Sequence, residues 1–329
     1  MTARPRIAVI FTGGTISMLP DPVTGAASPA LDGAAILART PGLDTIATVE
    51  AIDWGLVPAS HLGFSQILDI AALVRTCLAR PDIQGAVVVQ GTDVMEETAF
   101  AYDLLVDSPK PVVVVGAMRT AGDPGYEGPA NLRDAVRAAA SPELVGQGTV
   151  VVMGGAIMAA DDVVKTHTDA YDTFKALDLG PLGHVLHGRV RVRRARLRRR
   201  LLPNIPVAAA EPVPLITATV AMDGALIRAA ISIGARGLVV AATGSGNTDA
   251  DVLAAAVDAM AAGVPVVLAS RCISGRVSAS YGFPGGGAQW MAAGAIPAGS
   301  LSAPKARICL ALGLGAGLDD TGLRGLFED

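Results

Sequence analysis

Ile7-Ala8-Val9-Ile10-Phe11, followed at once by Thr12-Gly13-Gly14-Thr15-Ile16, reads as a strand apolar on both faces that runs into a glycine turn. The pattern recurs. Residues 86–89, 112–115, 149–153, 215–220, 238–241 and 264–268 are short runs, mostly β-branched, with no polar face. Between them the spacing changes to that of helices. Residues 64–78 place Ile67, Ile70, Ala71, Val74 and Leu78 on one face, and residues 95–106, 131–140, 226–233 and 248–260 behave alike. Strand alternating with helix predicts an α/β fold, a doubly wound and mostly parallel sheet with right-handed crossovers. Such sheets hold ligands at the carboxyl ends of their strands.

A chain of 329 residues suggests about two domains. The expected division is 1–200 for the N-terminal domain and 214–329 for a smaller parallel α/β domain. Residues 201–213 form a connector, since Pro203, Pro206 and Pro212 interrupt that segment and Pro214 directly follows it. With 51% hydrophobic and 17% charged residues, general disorder is excluded. A net charge of −4 supplies no field to recruit nucleic acid or an anionic membrane. No apolar run reaches the ~18 residues of a spanning helix, and the apolar stretch at residues 7–11 is too short for a signal peptide. Cys77, Cys272 and Cys309 are scattered and suit neither a disulfide framework nor a zinc site. The expectation is a cytoplasmic protein.

The densest charge lies at Arg189, Arg191, Arg193, Arg194, Arg196, Arg198, Arg199 and Arg200. It reads either as a polyanion-binding patch or as an exposed β-ribbon, with Val190 and Val192 alternating with arginine. The ribbon is favoured, because no aromatic residues are interleaved. Part of the run could meet acidic side chains of another subunit.

Four places combine a strand end with glycine and polar groups. Gly13-Gly14-Thr15 lets backbone approach a ligand beside a hydroxyl, or is a plain turn. Gln90-Gly91-Thr92-Asp93 sets a hydroxyl beside a carboxylate; alone, Asp93 reads first as a helix cap, and Glu96 and Glu97 merely complement the helix dipole. Lys165 follows the strand at 149–153; alone it reads as a surface lysine, or as a proton carrier if buried. Ser60-His61, beyond an expected short strand near residues 55–58, either binds a carboxylate or begins a helix. His184 and His187 fall in a loop, with no third ligand nearby for a metal.

Together these segments resemble the bacterial-type L-asparaginases and glutaminase-asparaginases. Thr12-Gly13-Gly14-Thr15-Ile16 and Gly91-Thr92-Asp93-Val94-Met95-Glu96-Glu97-Thr98-Ala99 are similar to that family's two threonine signatures. Gly116-Ala117-Met118-Arg119, Gly128-Pro129-Ala130-Asn131-Leu132 and Asp162-Val163-Val164-Lys165-Thr166 follow in the family's order. Gly244-Ser245-Gly246-Asn247, Tyr281-Gly282 and Pro304-Lys305-Ala306-Arg307 extend the likeness through the C-terminal half. The resemblance implies hydrolysis of the L-asparagine side-chain amide without metal or organic cofactor. It implies Thr15 as nucleophile, Thr92, Asp93 and Lys165 as a second catalytic group, and Gly14, Ser60, His61, Gly91 and Ala117 around the substrate. It also implies homodimers or homotetramers in which the C-domain of one chain completes its neighbour's site.

Three features depart from the family pattern. The loop at residues 21–30 lacks the family's tyrosine, residues 276–283 lack a glutamate, and His61 stands where glutamine is common. Tyr281, with Asn247 beside it, is the candidate to complete the neighbour's site. Other readings are a glutaminase-leaning enzyme, a related β- or γ-amide hydrolase, a transamidation subunit, a non-catalytic binder of small amino acids and, from the arginine run, a nucleic-acid binder.

Overall fold

The computed structural model describes residues 4–328, in two units that meet in sequence at Leu201 and Leu202. In chain order the first unit contains β1 (Arg6–Phe11), β2 (Met18–Pro20), β3 (Ala27–Pro29), α1 (Gly33–Ala38), β4 (Thr48–Asp53), α2 (Phe64–Ala79) and β5 (Ile83–Val89). It continues with α3 (Met95–Leu105), β6 (Val112–Val115), α4 (Gly128–Ala139), β7 (Thr149–Met153) and β8 (Ala156–Ala159). The last strands are β9 (Val163–Lys165), β10 (Phe174–Ala176), β11 (Gly183–Leu186) and β12 (Arg189–Val192).

Eight of these strands form one sheet, ordered β12-β11-β8-β7-β6-β5-β1-β4. From β4 to β7 every pairing is parallel; from β7 to β12 every pairing is antiparallel. The all-apolar runs occupy the middle, as their sequence requires: β6 and β7 are wholly buried, and β1 and β5 are buried except for one residue each. β4 at the edge is half-exposed and keeps Glu50 and Asp53 in its sequence. No strand forms at residues 55–58; that chain leaves β4 as a loop and enters a single 3-10 turn over Ala59–His61. Ser60 and His61 lie inside that turn, and the position that caps α2 is Gly63.

The arginine segment divides. Residues 189–192 are the expected ribbon at the other sheet edge, with arginines outward and valines half-buried. His184 lies on β11, paired with Arg191, and His187-Gly188 makes the tight β11–β12 turn, both residues at positive φ. Beyond Val192 the ribbon reading fails. Arg196 donates to Asp103 at 2.7 Å and to Asp161 at 2.8 Å, and Arg199 reaches Asp103 as well. The Asp103 side chain is fully buried, so these arginines fold inward onto acids of their own chain. Burial works against the Arg196 charge, but attraction to Asp103 and then Asp161 outweighs it and holds the guanidinium pKa above its ordinary range.

The second unit has four parallel strands ordered β13-β14-β15-β16: β13 (Leu215–Thr217), β14 (Leu238–Ala242), β15 (Val266–Ser270) and β16 (Ile296–Pro297). Helices α5 (Ala225–Ser232), α6 (Ala250–Ala261), α7 (Gly287–Ala292), α8 (Ala303–Gly315) and α9 (Asp320–Phe327) accompany them. One buried core joins Ile227, Leu238, Val240, Val252, Leu268 and Trp290. Residues 202–213 belong to this unit, where the Ala210 amide donates to the Ala311 carbonyl on α8. Among the described residues, no helix is long and apolar enough to cross a membrane.

Candidate active site

Because β4, β1, β5 and β6 run parallel, their carboxyl ends share one edge of the sheet, and the loops leaving them are knitted by backbone. The Val57 amide donates to the Thr12 carbonyl, Thr12 to Val89, and Gln90 to Val115, each at 2.9 Å. Such contact is possible only because the sequence places glycine there. Gly14 has φ +93° with ψ −178°, a conformation open essentially to glycine, and a Cβ on it would lie 2.2 Å from the Gly91 nitrogen. Gly91 and Gly116 are equally confined: a Cβ on Gly91 would meet Ala59 at 2.8 Å, and one on Gly116 the Gln90 carbonyl at 2.6 Å. The glycine pair is therefore a close-packed junction of strand ends.

Thr15 opens a single 3-10 turn, Thr15–Ser17, at the end of β1 and is part-buried. The buried Ser17 closes that turn, its amide and hydroxyl donating to the Gly14 carbonyl at 2.9 and 2.7 Å. On the neighbouring loop Thr92 is buried, while the Asp93 carboxylate is exposed. Lys165, at the end of β9, meets both. Its ammonium donates to Thr92 Oγ1 at 3.0 Å and to Asp93 Oδ1 at 3.1 Å. The lysine side chain is 17% exposed and the aspartate 66%, so the pair adds little to stability and mainly fixes geometry.

Asp93 therefore does not cap α3; Val94 holds that position without a side-chain cap. Glu96 has more than a dipole role, for its carboxylate accepts the Lys165 backbone amide at 2.7 Å and sets the end of β9 beside α3. No local signal could have shown this, because the partners are 69 residues apart. The buried Asn131 on α4 is another such residue: its amide donates to the Gly116 carbonyl at 3.1 Å and its oxygen accepts from Gly154 at 3.2 Å, tying the loop after β6 to the end of β7.

The structure thus brings Thr92, Asp93 and Lys165 into direct contact, with Gly14 and Gly91 packed against each other at the same edge. Ala117 is fully buried on the loop after β6. Ser60 and His61 are exposed on the turn after β4, which touches Gly91 through Ala59. Asn247 and Tyr281 belong to the second unit, where Asn247 Oδ1 accepts from the Gly287 amide and the half-exposed Tyr281 packs on Phe283. Among the described residues no cluster of three or more histidine, cysteine or acidic groups stands ready to hold a metal ion.

A buried hydroxyl held by a lysine and flanked by a carboxylate, one loop away from a second threonine, is equipped for acyl-transfer chemistry. Residues 6–198 match the family model described as Asparaginase, N-terminal, and residues 212–327 match Glutaminase/Asparaginase C-terminal domain. A probable L-asparaginase of Deinococcus radiodurans is 36% identical, the match covering 96% of this chain and 95% of that protein. L-asparaginase 2 of Escherichia coli is 30% identical over 99% of this chain and 93% of its own. Among solved structures, a probable cytoplasmic L-asparaginase from Campylobacter jejuni superposes with a TM-score of 0.87, at 28% identity over 98% and 99% of the two chains.

Proposed function

The chain belongs to the bacterial-type L-asparaginase family of amidohydrolases, and from that premise we propose that it hydrolyses the side-chain amide of L-asparagine to L-aspartate and ammonia through a threonine nucleophile. The observation that carries the reading is the Lys165–Thr92–Asp93 contact at 3.0 and 3.1 Å, beside the strand end that presents Thr15. Thr15 Oγ1 attacks the amide carbon; the C–N bond breaks, ammonia leaves with a proton, and an aspartyl ester remains on Thr15. Water then attacks the ester, releasing aspartate and restoring the hydroxyl. Lys165 and Thr92 carry protons for both steps. Asp93 and Ser60 receive the α-amine and α-carboxylate, and Gly14, Gly91, Ala117 and His61 line the substrate. We further propose a homodimer or homotetramer in which Asn247 and Tyr281 of one chain complete the site of the next. The cytoplasm is the proposed compartment.

A second reading has an observation of its own. The hydroxyl in contact with the lysine is Thr92, so Thr92 is the alternative attacking group. Substrate choice is tested by ammonia release from L-asparagine, D-asparagine, L-glutamine and asparaginyl peptides. L-asparagine is expected to have the highest kcat/KM; a higher value for glutamine or a peptide overturns that assignment.

A further inference from the structure

Tyr126 lies just before α4, and its hydroxyl donates to the carbonyl of Ile16 at 2.8 Å, across 110 residues of chain. Ile16 is the residue after Thr15, in the middle of the single turn that carries it. Thr15 is thereby held from both sides, through Gly14 by Ser17 and through Ile16 by Tyr126. The next residue, Glu127, accepts the amides of Met118 and Arg119, which directly follow Ala117. Two adjacent side chains thus fasten the loop after β1 and the loop after β6. The connecting segment is fixed too, since the Ala121 amide donates to the Met18 carbonyl at 3.0 Å. Space for the side chain is made by Gly128, where a Cβ would lie 2.4 Å from Cε2, Cζ and the hydroxyl oxygen of Tyr126.

The geometry points to Tyr126 as a positioning residue for Thr15, acting through the Ile16 carbonyl, with Glu127 setting Ala117 in step with it. This rests on the reading of Thr15 as the attacking group. Tyr126 acts here as a hydrogen-bond donor to backbone. Burial first, and then the neighbouring Glu127 charge, push its phenol up to about 12, so the hydroxyl remains a donor through the working pH range. A tyrosine that only donates to backbone sets the place and angle of the turn, and a nucleophile displaced by a fraction of an ångström loses rate more than binding.

Tyr126→Phe keeps the ring and removes the hydroxyl. On L-asparagine, kcat is expected to fall about tenfold, the effect of one lost hydrogen bond near 1.4 kcal/mol, with KM within about twofold and an unchanged pH profile. Hydrogen exchange at the Thr15–Ser17 amides is expected to speed up by a similar factor. Unchanged kcat, or a change confined to KM, overturns the proposal, as does unchanged exchange. Glu127→Gln gives a second check, with faster exchange at Met118 expected and unchanged exchange counting against the paired brace. If the unaltered protein releases no ammonia from any amide, the functional reading fails, and the exchange measurement alone then decides whether Tyr126 braces the turn.

Discussion

Lys165 bonds Thr92 and Asp93 through one nitrogen, and that nitrogen is where the proposed proton traffic must pass. Lys165→Met retains much of the aliphatic stem and removes the proton carrier. It is expected to lower kcat about 10²–10⁴-fold while leaving KM within a few-fold, as steady-state kinetics on L-asparagine would show. A larger effect on KM than on kcat would make Lys165 a binding group. The sequence exposed the identity of these residues better than their partners. Thr15, Thr92, Asp93 and Lys165 stand out as candidates because they lie in long signatures in family order, whereas composition and local spacing alone leave Asp93 a cap and Lys165 a surface lysine. The contacts of Glu96, Asn131 and Tyr126 at the candidate site cannot be read from local sequence. Each acts on a segment 15 to 110 residues away, and only the pairing of β1, β5 and β6 and the placement of β9 bring those segments together.

Among the elements, β12 and the segment after it obey different rules. Alternating arginine and valine at residues 189–192 specifies an edge ribbon, and a period of two is enough to read it. Arg196 and Arg199 cannot be read that way, because their partner Asp103 sits on α3, more than 90 residues earlier. Asp103 also accepts the Thr149 amide at 2.8 Å, so α3, β7 and the arginine segment meet on one buried carboxylate. Removing it leaves Arg196 with Asp161 as its remaining acid and Arg199 with backbone carbonyls alone, both guanidinium groups being mostly out of water. Asp103→Leu is expected to destabilise the protein by about 3–5 kcal/mol, read as a lower urea midpoint at unchanged slope. A loss below ~1 kcal/mol would mean that Asp161, the backbone carbonyls and water satisfy these arginines without Asp103. Retention on immobilised polyanion is expected to be weak, since Arg196 and Arg199 point inward.

On the scale of the whole molecule, the central parallel strands and both α/β units follow from short apolar runs alternating with helical spacing. The antiparallel extension through β8, β11 and β12 does not, because β8 continues the apolar run of β7 across Gly154-Gly155, while β11 and β12 are four-residue strands that mix polar residues into the pattern. The proposed completion of the site by a second chain concerns an assembly rather than one chain. Tyr281→Phe is expected to leave the oligomer intact by light scattering and to lower kcat/KM; equal kcat/KM would mean that only the ring matters, as packing. If Thr15, at the end of β1, is the attacking group, the covalent bond forms there, and that bond can be trapped. The protein is quenched in acid during turnover of L-asparagine, digested, and its peptides are weighed. The predicted result is an aspartyl ester on the peptide containing Thr15, lost together with ammonia release in Thr15→Val. An ester on the Thr92 peptide instead, or full turnover by Thr15→Val, would contradict it.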